Sequence, residues 1–151
     1  MLTSVPPWLI ILAIVGLLFV FWLIGMAPVI QRERARELFR LQHERLEVLF
    51  LTHVRLTGSP RGLIWQSCTF VGPALLARDR HSRQIIAFVP ITIQFEAEPE
   101  GDMVELPAVG QPRHATAVFW FHRGQWETAG KTIFNHTPEQ VMERFREQYA
   151  E

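Results

Sequence analysis

Residues 84–96 read Gln-Ile-Ile-Ala-Phe-Val-Pro-Ile-Thr-Ile-Gln-Phe-Glu. The odd positions Ile85, Ala87, Val89, Ile91, Ile93 and Phe95 are all apolar, whereas the even ones mix Ile86 and Phe88 with Gln84, Thr92 and Gln94. Side chains alternate across a strand, so this spacing predicts a long β-strand with one face given wholly to a core. Pro90 has no N–H to donate to a ladder, which predicts a sheet edge or a bulge at that point.

On either side of this strand the same alternation recurs. Residues 63–70 and 74–79 are predicted strands, and a turn at 80–83 leads into the long one. Residues 114–122 and 125–134 make a hairpin around Arg123-Gly124, with glycine supplying a positive φ and Ala115, Ala117, Phe119 and Phe121 pointing inward. Between them, 97–112 is a long acidic loop rich in Gly and Pro, with a short strand around 103–106. Thr137-Pro138-Glu139-Gln140 opens a closing helix as a capping box, and Val141, Met142, Phe145 and Tyr149 lie on one side of it. If Thr116, Val118 and Trp120 share the second sheet face with Phe88, that face is too apolar to stay bare. The closing helix is the economical cover; a partner or ligand is the alternative.

Upstream of the Gly58-Ser59-Pro60 break the pattern is helical. Residues 31–52 contain no Gly or Pro, carry the pairs Glu33/Arg36, Glu37/Arg40 and Arg40/Glu44, and place Ala35, Leu38, Phe39, Gln42, Leu46, Leu49 and Phe50 in one stripe. The stripe reads as a face that docks on the domain. A parallel coiled coil is the rival, opposed by the short length and by Gln42 in the seam. A break or kink is expected near Pro28.

Residues 8–27 hold no charged or strongly polar side chain and, at ~1.5 Å per residue, just cover the ~30 Å of a bilayer core. Trp8 suits the interface at the entry. A cleaved signal peptide would put small residues at Gly25 and Ala27, but the leading segment has no Lys or Arg, the run is long, and Pro28 would follow the scissile bond. An uncleaved anchor is the reading. Arg32, Arg34 and Arg36 crowd the exit and no Lys or Arg precedes the run, so the positive-inside rule predicts a cytoplasmic domain.

The predicted architecture is therefore α+β: a tail over 1–7, a transmembrane helix over 8–27, a juxtamembrane amphipathic helix over 28–57, and a small domain over 58–151. That domain is an antiparallel sheet of about four to six strands with a C-terminal helix packed on it. A membrane helix, a long helix and a curved antiparallel sheet in this order resemble the layout of NTF2-like domains, although the closing helix departs from it. The resemblance implies a curved sheet able to enclose a ligand.

The chemistry is sparse. Fifteen basic and fifteen acidic residues cancel, which speaks against nucleic acid as a partner. Cys68 is the single cysteine, placed in the alternation Ile64, Gln66, Cys68, Phe70, and reads as a small buried hydrophobe rather than a nucleophile. The six histidines form no H-x-x-x-H or H-E-x-x-H, and Asp79 with His81 reads as a polar turn, so no metal or cofactor is expected. Arg78, Arg80, His81 and Arg83 surround the turn before the long strand and suit a phosphate or a carboxylate patch, against the plainer reading of a solvated hairpin end. Glu96, Glu98, Glu100, Asp102 and Glu105 make an acidic edge and loop without calcium-loop spacing. Electrostatic docking of a protein partner, or of the basic turn of a second copy, is the expected use. The leading functional reading is a membrane-anchored accessory or interaction protein. A small-ligand-binding module and an enzyme without recognisable motif are the alternatives.

Overall fold

A computed structural model describes residues 6–57, 60, 62–102, 104 and 106–150. Along the chain run α1 (Pro7–Leu41), α2 (His43–Thr57), β1 (Leu63–Phe70), β2 (Leu75–Asp79), β3 (Ile85–Ala97), β4 (Arg113–His122), β5 (Gln125–Glu127), β6 (Thr132–Phe134), α3 (Pro138–Arg144) and β7 (Tyr149–Ala150). Two compact units result, Met1–Arg34 and Ala35–Glu151.

In the first unit, α1 is long and apolar enough to cross a membrane, and every described residue of its apolar run is exposed. The helix runs through Pro28 without the expected break. One backbone bond, that of residue 28 to residue 24, is lost, but helix-forming neighbours on both sides carry the segment across. The interruption falls at Gln42 instead. There the Gln42 N–H still reaches the Leu38 carbonyl at 3.0 Å and the Gln42 carbonyl accepts from Leu46 at 2.9 Å.

The second unit is built on a seven-stranded, open antiparallel sheet in the order β5-β4-β3-β2-β7, with β1 also on β3 and β6 also on β4. Seven strands exceed the four to six expected, because the strand read over 125–134 is split in two and β7 arises where a helix was read. Residues 125–134 do not form one strand. They leave β4 at Thr128 and return at Thr132, while the Thr128 hydroxyl donates to the Val118 carbonyl at 2.9 Å and Gly130 turns at φ 74°. The closing helix is also shorter than expected. It ends by Phe145 and Tyr149 lies in β7, paired with Asp79, because the open edge of β2 takes up the last residues of the chain. The strand expected around 103–106 falls partly on Met103 and Glu105, outside the described residues, as do Gly58 and Ser59 of the break before β1.

β3 is central rather than an edge. On one side β4 pairs with it from Ile85 to Ile93; on the other, β2 pairs from Ile85 to Phe88 and β1 from Ile91 to Ala97. Pro90 sits where one neighbour has ended and the other has not begun. Its carbonyl accepts the Val71 N–H at 3.0 Å, so its missing donor faces the junction and leaves no ladder bond unmade. The bulge lies in β1 instead, between Trp65 and Ser67. That extra residue breaks the expected alternation: Trp65, Cys68 and Phe70 turn inward while Ile64 and Gln66 are exposed.

The two faces of β3 behave as the alternation predicted. Its odd residues join Ala115, Ala117, Phe119 and Phe121 under the stripe of Ala35, Phe39, Leu46, Phe50 and Val54 from α2 and the end of α1. The Trp126 indole donates to the Ala35 carbonyl at 2.9 Å, tying β5 to that helix end. Ile86 and Phe88 pack on the opposite face with Val118, Val141 and Tyr149, so the closing helix does cover the second face. The N-cap is complete: Thr137 Oγ1 accepts the Gln140 N–H at 3.4 Å, and Gln140 Oε1 accepts the Thr137 N–H at 2.9 Å. Thr137→Ala removes one of these two bonds and is expected to destabilise the domain by ~0.5–2 kcal/mol. Thermal melting of the full chain in detergent checks this, and a melting curve superimposable on that of the parent refutes it.

Candidate functional site

The basic turn is built by Asp79. Its Oδ1 accepts the His81 and Ser82 N–H groups at 2.8 and 3.0 Å, and Gln148 Nε2 donates to Oδ2 at 3.4 Å. The Ser82 N–H above all, with those of His81 and Gln148, holds the Asp79 carboxyl below its usual value against the opposing effect of burial. This is the polar turn expected of Asp79 and His81. Arg80, His81 and Arg83 are exposed on it, Arg83 at φ 60°, while Arg78 is half-buried in β2 opposite Ala150.

Glu96 ends the exposed face of β3, and Glu98, Glu100 and Asp102 follow it in exposed positions, whereas Glu105 lies outside the described residues. β3 is 13 residues long, so the acidic edge and the basic turn stand at opposite ends of the sheet, ~40 Å apart along the strand. They do not meet within one chain.

The Cys68 thiol is buried, and burial, with the charge of Glu47 adding to it, pushes it up to about 12. Such a thiol holds its proton and is a poor nucleophile. No group of three or more His, Cys, Asp or Glu side chains is placed to hold a metal ion among the described residues. Trp65 Nε1 is buried without a hydrogen-bond partner among the described residues, close in sequence to residues 58, 59 and 61, which are not described.

Two concave features were not read from the sequence. One, of about 510 Å³, opens between the start of β4 and the start of α3, lined by Arg113, His114, Asn135, His136, Thr137 and Gln140 among others. His136 is oriented there: its Nδ1 lies 2.9 Å from the Phe134 carbonyl and its Nε2 3.0 Å from Arg144 Nη1. A carbonyl can only accept and a guanidinium only donate, so in this arrangement Nδ1 faces an acceptor and Nε2 a donor. The other, of about 320 Å³, lies between the end of α1 and the β1–β2 connection, with Arg36, Arg40 and His43 on one side and Gly72, Pro73 and Ala74 on the other. No spacing signal announces either, because each joins residues that only the sheet topology brings together.

No family model, curated protein or solved structure matches this chain.

Proposed function

We propose that this chain is a single-pass membrane-anchored accessory or interaction protein, whose small α+β domain recruits or supports a protein partner at the bilayer. The observation that carries the reading is the helix α1, whose apolar run from Trp8 to Ile30 finds no cover among the described residues. Such a length of exposed Leu, Ile, Val and Phe is unfavourable in water and matches a hydrocarbon layer. Arg32, Arg34 and Arg36 follow the run and support a cytoplasmic domain. The exposed basic turn of Arg80, His81 and Arg83, with Arg78 beside it, suits an acidic partner surface, and Glu96, Glu98, Glu100 and Asp102 suit a basic one.

The ligand-binding alternative draws on the cavity at Arg113, His114 and His136, which is lined mostly by polar residues and open where the NTF2-like layout implies an apolar enclosure. The inner face of the sheet is filled by Phe50, Phe119 and their neighbours.

The anchor and its orientation are tested together. The intact chain is expected to stay in the membrane pellet after carbonate washing, and a C-terminal reporter active only in the cytoplasm is expected to work. Release by carbonate removes the anchor reading; activity confined to an extracytoplasmic reporter reverses the topology.

A further inference from the structure

We infer that the cleft beside the end of α1 holds the phosphate of an anionic phospholipid headgroup. This rests on the membrane-anchored reading and gives that anchor a lipid preference. The cleft is lined by Arg36, Arg40 and His43, with no Asp or Glu among its described lining residues. Arginine presents its N–H groups in the fork that matches phosphate oxygens. Arg40 is paired with Glu37 at 2.9 Å, but both side chains are well exposed, and a surface pair of this kind is weak enough to be traded for a phosphate.

The opposite wall is fixed before any ligand arrives. The Val71 N–H donates to the Pro90 carbonyl at 3.0 Å, and a Cβ on Gly72 would come within 3.1 Å of the Pro90 ring, so the connection is held close to β3. On the helix side, the His43 ring stands edge-on to Phe70 with centroids 5.1 Å apart. Next in sequence to the lining residues Gly72 and Arg40, the chain exposes apolar groups: Val71 is 54% and Leu41 70% accessible. Cations over an apolar floor of Phe39, Pro73 and Ala74, with apolar residues nearby, suit an amphiphile better than a free anion. In sequence, Arg36 follows Ile30, the end of the apolar run, by only two helical turns. Charge, shape and nearness in sequence to the apolar run select a lipid headgroup as the occupant.

The test uses the full chain in a neutral detergent and native mass spectrometry with dihexanoyl phosphatidylglycerol, dihexanoyl phosphatidylcholine and glycerol 3-phosphate as probes. Phosphatidylglycerol is expected to bind at least fivefold more tightly than either of the others. Arg40→Gln should weaken it about fivefold, the factor carried by one basic residue near an anionic lipid surface. Arg40→Lys, which keeps the charge but not the fork, should weaken it less than Arg40→Gln does, and Arg146→Gln, exposed and outside the cleft, should change nothing. Arg40 is exposed, so its variants are expected to keep the parent melting curve. A smaller preference over phosphatidylcholine, an Arg40→Gln protein that binds as the parent does, or equal binding of glycerol 3-phosphate overturns the proposal, the last by making this a free-phosphate site. Because the measurement is made in detergent, it reports on the cleft even if carbonate washing were to remove the anchor.

Discussion

Phe119→Ala is expected to lower the melting temperature of the domain by roughly 10–25 °C, the counterpart of ~3–5 kcal/mol in a unit of this size. Phe119 has no exposed surface and stands where four elements converge. Its ring packs against Phe39 at the end of α1, Phe50 in α2 and Phe70 in β1, with centroids 5.6, 5.7 and 5.8 Å away. Truncation therefore removes one large side chain from water-excluded contact and leaves three aromatic neighbours facing a void that rigid strands and helices cannot collapse to fill. A domain stable by only ~5–15 kcal/mol has little margin for such a loss. Thermal melting in detergent by circular dichroism measures it, with Phe119→Leu as a milder companion. A shift below 5 °C for the alanine variant would show that the aromatic cluster is not what holds the helices to the sheet.

Gly130→Ala is expected to be the next most damaging change, at ~2–4 kcal/mol, although it adds a single methyl group. Gly130 adopts φ 74°, and a Cβ there would lie 2.9 Å from the Val54 nitrogen and 3.1 Å from the His53 carbonyl carbon. These are backbone atoms of α2 and cannot rotate away. Gly124 provides the comparison, since its φ of 81° is similar but nothing lies within 4 Å of its would-be Cβ. Gly124→Ala should therefore show the conformational cost alone, ~1–2 kcal/mol. If the two variants melt together, the close approach of α2 to the 128–131 loop is not a constraint on the fold.

The parts of this fold that were legible in the sequence are those decided by neighbouring residues. Strand β3 and its two faces follow from strict alternation; the Arg123-Gly124 turn follows from glycine, and both central residues do turn at positive φ. The Thr137 cap follows from residues three apart. What failed depended on partners distant in sequence. Pro90 was assigned to an edge or a bulge because a proline lacks a donor, but whether that matters is decided by which strands end beside it. Gln66 gives no local sign of the bulge that turns Cys68 inward, and Tyr149, apolar and well spaced for a helix face, is drawn instead to the open edge of β2. The candidate sites divide in the same way. The basic turn was visible because four residues surround one hairpin, whereas the cleft at Arg36, Arg40 and His43 needs the Gly72-Pro73-Ala74 connection to be brought against α1.

The change of neighbours at Pro90 also shapes the order in which the sheet can form and open. The half of β3 before it closes onto β2 through the tight turn at Asp79, a short loop with little entropy to lose, whereas the half after it waits for β1, whose pairs with β3 are much farther apart along the chain. On that side no hydrogen-bonded ladder is continuous across the junction. Opening of β1 need not propagate into β2 and β7, so amide protection can divide at Pro90, with β4 alone holding the two halves in register.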